Sequence, residues 1–211
     1  MAQQKFVSNS QESTRMFKSD FMEAFSKMHP ATPLVIFVPV VLFFMYKSIF
    51  EFQVGFLYTI LLLLGGLLIW SFTEYILHRF VFHYHPTSEF GKRIHFVFHG
   101  VHHDYPNDAK RLVMAPIISV PLAFAFYFSF RAVVGEAFVA SFFSGFVLGY
   151  LFYDMSHYAI HHFQFKNKFW QNIKKHHMVH HYVDDENGYG VSSKLWDLIF
   201  RTDFKKQPNG K

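Results

Sequence analysis

Fifteen histidines stand in a chain of 211 residues that contains no cysteine. Fourteen of them fall in four short clusters: HRFVFHYH at 78–85, HFVFHGVHH at 95–103, HYAIHH at 157–162 and HHMVHH at 176–181. Neutral imidazole is the commonest nitrogen ligand for iron, zinc and copper. Without cysteine, thiolate zinc sites, iron–sulfur clusters and a thiol nucleophile are excluded. On a helix, residues three and four apart share a face. His99, His102 and His103 have that spacing, as do His177, His180 and His181, and His157 pairs with His161. His78 and His83 are five apart, about 140° around a straight helix. They meet only if the helix ends or bends between them; otherwise they serve different ions. These ten imidazoles are too many for one metal ion and about right for two.

The other histidines read differently. His29, alone before Pro30, is structural, and His85, before Pro86, is a loop residue. His95 lies one turn before His99 and is a further candidate ligand. His162 and His176 adjoin proposed ligands and point elsewhere on a helix. Glu74 is one turn before His78, Asp154 is three residues before His157, and Asp104 follows His103. These carboxylates suit either direct ligation or acceptance of imidazole N–H groups. The second role is expected, since the histidines already suffice; a plain helix-end charge is the alternative. A low-complexity metal-storage tract fits poorly, because the clusters are dispersed and interleaved with Phe, Val, Tyr and Ile.

The elements that must position these residues are apolar. Half of the chain is hydrophobic, 21% is aromatic and only 17% is charged, a balance that favours a membrane protein over a soluble helical bundle. Windows 28–46, 52–73, 112–130 and 137–153 lack Lys, Arg, Asp and Glu, and a spanning helix needs roughly 20 such residues. Pro30, Pro33 and Pro39 delay or kink the first span. The short links 47–51 and 131–136 make two tight hairpins. Residues 1–27, 77–111 and 160–211 therefore share one side of the membrane. Those stretches hold 18 of the 20 Lys and Arg residues, only Lys47 and Arg131 lying at the opposite turns, so the histidine side is expected to be cytoplasmic. The same topology explains the net charge of +5 better than a nucleic-acid partner does. The expected organisation is all-α: a cytosolic N-terminal arm at 1–27, a membrane domain with a cytosolic metal-binding helical cap at 28–204, and a tail at 205–211. The polar start of the chain does not read as a signal peptide.

Taken in order, TEYILHRFVFH (73–83), HGVHHDYP (99–106), KRLVMAP (110–116), YDMSHYAIHH (153–162), KKHHMVHHY (174–182) and GYGVSSKLWDLIF (188–200) resemble the fatty acid 2-hydroxylases of the fatty acid hydroxylase and sterol desaturase superfamily. The resemblance covers residues 16–204. Individual histidine boxes are widely shared, whereas the KRLVMAP and WDLIF segments are more selective. It implies metal ligation by His78, His83, His99, His102, His103, His157, His161, His177, His180 and His181. It also implies two metals in a cytosolic cap above four membrane helices, and oxygen insertion at carbon 2 of a long acyl chain, free or in a ceramide-type lipid. Many members begin with a cytochrome-b5-like domain. The 27-residue arm is too short for one, so electrons are expected from a separate protein of cytochrome b5 or ferredoxin type.

An unactivated C–H bond resists acid–base groups, so such chemistry requires O2 and a redox metal. Iron is expected; zinc binds the same imidazoles without redox activity. The host membrane would be the endoplasmic reticulum in a eukaryote or the inner membrane in a bacterium. Phe80, Phe82, Phe96, Phe98 and Tyr158 are candidates to line the acyl path, or are plain interfacial packing. The rival readings are a sterol oxidase or carotenoid hydroxylase of the same superfamily, a membrane metal-binding scaffold, and a metal transporter. The last would place its ligands inside the spans.

Overall fold

Apolar runs near 20 residues can satisfy their own backbone in lipid only as helices, and helices are what they form. The computed structural model describes residues 6–204, and every regular element among them is helical. The tail at 205–211 lies outside the described residues. In chain order the helices are α1 (Asp20–Phe25), α2 (Thr32–Tyr46), α3 (Phe56–Ile76), α4 (Glu89–His95), α5 (Val101–Asp104), α6 (Pro116–Val134), α7 (Glu136–His162), α8 (Lys168–Tyr182) and α9 (Leu195–Phe200). Three π-helical stretches, Lys47–Glu51, Leu77–Phe82 and Phe96–Gly100, directly follow α2, α3 and α4.

The chain divides into two compact units. The first comprises residues 15–73 and 110–155. The four helices long and apolar enough to cross a membrane are Thr32–Glu51, Phe56–Phe82, Pro116–Val134 and Glu136–His162, which makes the chain a multi-pass membrane protein. Only 6% of the apolar window of α6 is buried, against 72% of that of α7, so α7 forms the core of the bundle and α6 turns its side chains outward. Helices α3 and α7 approach backbone to backbone at Gly66 and Gly145. A Cβ on Gly66 would lie 2.0 Å from the Phe142 carbonyl oxygen, and one on Gly145 would lie 2.1 Å from that of Leu63. Such small-residue contacts are how helices associate where lipid removes the hydrophobic drive. Trp70 packs edge-on against Phe146 and Tyr150 above that contact.

The links differ from the expected ones. Residues 47–51 are helical, and the first turn is moved to 52–55. The second shrinks to Gly135, whose φ of 84° suits glycine. Lys47 and Arg131, the two cations at these turns, pair with Glu51 and Glu136. Pro33 sits in the first turn of α2, where a missing N–H costs nothing, while Pro39 lies inside the helix. Between Met16 and Met28 only the six residues of α1 are helical. Buried Glu23 holds this segment. It accepts from the Met16 and Phe17 N–H groups and forms a 2.6 Å ion pair with buried Arg111 of the KRLVMAP segment.

The second unit comprises residues 6–14, 74–109 and 156–204 of the described chain. It holds the end of α3 with its π-helical turn, the whole of α4 and α5, the last turns of α7, and α8 and α9. The arm at 6–14 is docked along it: the Val7 and Ser8 N–H groups donate to the Asp104 carbonyl, and Ser13 Oγ donates to Asp108 at 2.5 Å.

Candidate metal centre

Two long helices end in ligands. A 27-residue helix is about 40 Å long, some 10 Å more than a hydrocarbon core. Both Phe56–Phe82 and Glu136–His162 have that length. The charge-free windows stop near residue 73 and residue 153, but the helices do not, so His78, His157 and His161 lie within continuous helix and not beyond its end. The ten histidines with ligand spacing fall into two sets of five, each offering nitrogens within 4.8 Å of one another. One set, the open site, is His78, His83, His99, His103 and His180. The other, the closed site, is His102, His157, His161, His177 and His181.

The partition follows from helix geometry. Each triad serves both sites: the i and i+4 members go to one and the i+3 member to the other. His99 and His103 join the open site while His102 joins the closed one; His177 and His181 join the closed site while His180 joins the open one. On a helix, positions i+3 and i+4 diverge by about 100°, which is enough to address two neighbouring points. The rings of His103 and His181, one from each set, are 4.2 Å apart. The His78–His83 spacing is resolved by the π-helical turn. The His83 N–H donates to the His78 carbonyl five residues back at 3.1 Å, and this wider winding brings both rings to one site. The stretch Phe96–Gly100 is wound in the same way and carries His99.

The nitrogens have the spacing of a coordination sphere. At the open site, His78, His83 and His99 Nε2 are mutually 3.2 Å apart, and His180 Nε2 is 3.0 Å from that of His83. At the closed site, His177 Nε2 is 2.9–3.0 Å from those of His157, His161 and His181. Nitrogens about 2.1 Å from one ion stand about 3.0 Å apart at right angles and about 3.4 Å apart in a tetrahedron. Five donors at near-right-angle spacing fit an ion with more than four ligands. Burial, reinforced by neighbouring imidazoles, holds His83, His99, His103, His177 and His181 far below the usual imidazole range. The same causes pull His102 down to about 3 and His180 to about 4. All seven rings are thus neutral at pH 7, the form that binds metal.

The open site has backbone partners. His78 Nδ1 lies 2.5 Å from the Tyr189 carbonyl and His180 Nδ1 lies 2.7 Å from that of Asn187. A carbonyl only accepts, so both Nδ1 atoms carry the proton and both Nε2 lone pairs are free for metal. Neither carbonyl stands out in the sequence, since every residue has one. The legible signal was Asp197, a lone carboxylate in LWDLIF, which is fully buried and binds this same loop.

The other expected residues fall out as follows. Glu74 accepts no imidazole proton; its carboxylate takes the Val191 and Ser192 N–H groups at 2.8 Å and the Ser192 hydroxyl. Asp154 belongs to the membrane unit, where it accepts from the Met114 N–H at 3.4 Å. The Asp104 carbonyl, as noted, receives the N-terminal arm. His95, His162 and His176 belong to neither set of five. His95 faces His85 at 6.2 Å, His162 packs on Tyr158, and His176 lies 3.3 Å from Asp197. Of the aromatic candidates, Phe82 stacks on the His99 ring at 5.0 Å, while Phe80 and Phe98 are exposed.

The profile of the fatty acid hydroxylase family matches residues 63–202, an interval containing all ten of these histidines. The chain is 36% identical over 191 residues to a dihydroceramide fatty acyl 2-hydroxylase of Arabidopsis thaliana, covering 90% of this chain and 80% of that one. It is 38% identical over 209 residues to a fatty acid 2-hydroxylase of Rattus norvegicus, of whose length the match spans 56%. A solved structure described as full-length scs7p, with only the hydroxylase domain visible, superposes with a TM-score of 0.84 at 34% identity. That match covers 91% of this chain and 73% of that one.

Proposed function

The chain belongs to the fatty acid hydroxylase family, and from that membership and its paired five-histidine sites we propose that it inserts one oxygen atom from O2 at carbon 2 of a long acyl chain, free or within a ceramide-type lipid. The observation that carries this reading is the convergence of ten imidazoles on two adjacent points. Two redox-active ions, iron by preference, would supply the O2 activation that an unactivated C–H bond demands.

The chain's own contribution is selection and orientation. His78, His83, His99, His103 and His180 would hold one ion, and His102, His157, His161, His177 and His181 the other. The carbonyls of Tyr189 and Asn187 fix two of the tautomers. All five closed-site histidines are buried, which keeps water from one side of the centre, whereas His83 and His103, only partly buried, leave the open site the more approachable of the two. We place O2 and the acyl chain on that open side, with exposed Phe80 and Phe98 as apolar guides. Electrons come from a separate carrier of cytochrome b5 or ferredoxin type. The cytoplasm is assigned to the histidine side by the 18 of 20 Lys and Arg residues in the segments that adjoin it. The host membrane in this reading is the endoplasmic reticulum of a eukaryote or the inner membrane of a bacterium. Residues 1–27 act as a cytosolic arm and 28–204 as the membrane hydroxylase domain with its cap.

Lipid analysis of cells with and without the protein tests the proposal. The expected result is a gain of 2-hydroxy acyl species that disappears in His102→Ala and His180→Ala. An altered sterol or carotenoid pool, with 2-hydroxy lipids unchanged, would assign the chain to another branch of the superfamily.

A further inference from the structure

The loop behind the open site is held unusually tightly. Four consecutive peptide N–H groups are taken by two carboxylates. Asp197 accepts from Tyr189 at 2.9 Å and Gly190 at 2.8 Å, and Glu74 accepts from Val191 and Ser192, both at 2.8 Å through Oε1. Asp197 also accepts the Thr202 hydroxyl at 2.8 Å, and the Thr202 carbonyl takes the Gly188 N–H. Both carboxylates are buried, 5% and 0% exposed, and neither pairs with a lysine or arginine. A buried carboxylate is costly unless it is fully hydrogen-bonded, and an apolar side chain would pack a loop more cheaply. What the carboxylates do that packing cannot is fix the rotation of successive peptide planes. A peptide whose N–H is pinned has its carbonyl aimed as well.

We propose that Glu74 and Asp197 are positioning residues for one ion of the pair: by clamping residues 189–192 they aim the Tyr189 carbonyl at His78 Nδ1, so that the open-site ion depends on them and the closed-site ion does not. The contrast has a structural basis. The Nδ1 atoms of His161, His177 and His181 are buried without a protein hydrogen-bond partner, so no equivalent of this clamp reaches the closed site through them. The inference rests on reading the ten histidines as metal ligands, but not on the reaction they support.

The test loads the full-length chain with zinc(II), a redox-silent probe, and counts ions per chain by mass spectrometry across a range of free zinc. Wild type should hold two. Glu74→Ala and Asp197→Ala should hold one with unchanged affinity and bind the second about 10–100-fold more weakly. Glu74→Gln should hold two, since one amide oxygen can accept both N–H groups now on Oε1. Adding His83→Ala to Glu74→Ala should leave one ion, because both strike the same site, whereas adding His181→Ala should leave none. Two tightly bound ions in every variant would overturn the proposal. So would loss of both ions together in the Ala and Gln variants alike. If the Ala variants do not fold, hydrogen exchange of the wild-type chain during chelator titration decides. Removal of the first ion should speed exchange at residues 189–192, and unchanged exchange there would refute the clamp. Zinc occupancy needs no turnover, so this pattern together with an iron-loaded, reduced protein that yields no 2-hydroxy product would refute the hydroxylase reading and leave the clamp standing.

Discussion

The open and closed sites use the same five-imidazole donor set but hold it in different ways. The open site draws on a π-helical turn, two backbone carbonyls and a clamped loop, and two of its histidines are only partly buried. The closed site has no protein hydrogen-bond partner for the Nδ1 atoms of His161, His177 and His181 among the described residues. Its rings come from the last turns of α7, from α8 and from α5; all are buried, and they position one another by contact. One site is oriented by hydrogen bonds and the other by exclusion of alternatives. A site that admits O2 and substrate cannot rely on burial to fix its ligands, so it needs acceptors. A sealed site can do without them.

The comparison is broken most directly by removing one ligand from each. His177 is fully buried, and its Nε2 is 2.9–3.0 Å from three other ligand nitrogens. His177→Ala and His83→Ala should each lower 2-hydroxy product by at least about 100-fold, more than loss of an outer hydrogen bond would. Only His177→Ala should also lower stability, by about 2–3 kcal/mol, because it empties a packed interior position. Equal thermal midpoints for the two variants would show that the sites are supported alike.

Much of this was legible in the sequence. The clusters that hold the ten converging histidines, eight of them at i, i+3 or i+4 spacing, are plain in the sequence, and the four crossings follow from charge-free windows. What spacing did not show was the partition, because the i, i+3, i+4 rule puts a triad on one face without saying that the face can span two points. The π-helical turn at Leu77–Phe82 was equally hidden, since nothing in LHRFVF marks a five-residue hydrogen bond. The His78–His83 offset was the one clue that regular winding had to fail. Glu74 is singled out in the sequence by its place one turn before His78; its carboxylate holds the Val191 and Ser192 N–H groups of the loop whose Tyr189 carbonyl lies against that histidine. The acceptor carbonyls themselves carry no side-chain signature. The helices run past the charge-free windows because polarity marks where lipid stops, not where hydrogen bonding does.

Acidification sharpens the contrast. A histidine whose folded pKa lies below the ordinary 6.5 is neutral in the native state while the unfolded chain takes up the proton. Its contribution to stability is therefore complete above about pH 6.5 and falls as pH drops, by up to about 1.4 kcal/mol per pH unit for each such ring. The loss continues to the folded value, about 4 for His180 at the open site and about 3 for His102 at the closed one. As pH falls from about 6.5 toward these values, zinc should leave in two phases. The open site should empty first, since His83 and His103 are only partly buried whereas all five closed-site histidines are buried. A single phase releasing both ions would mean that the centre titrates as a unit and that the difference in exposure has no consequence.

The mildest test concerns Phe82, whose ring lies nearly parallel to that of His99 at 5.0 Å, with an interplanar angle of 20°. Among the described residues it is the one stacked aromatic neighbour at the open site that is not itself a proposed ligand, and it covers one face of the His99 ring while leaving the in-plane Nε2 lone pair clear. Stacking of this kind is worth about 0.5–1.5 kcal/mol beyond area. Phe82→Leu keeps most of the buried volume and removes the parallel face. The open-site affinity for zinc(II) should therefore fall about 2–10-fold, with the closed site unchanged, read from the same ion-counting titration. If orientation at the open site came from hydrogen bonds alone, the substitution would leave both affinities at their wild-type values. If it came from packing, as at the closed site, the loss would approach that of removing a ligand. An intermediate fall is what a site held mainly by acceptors, with one ring in support, requires.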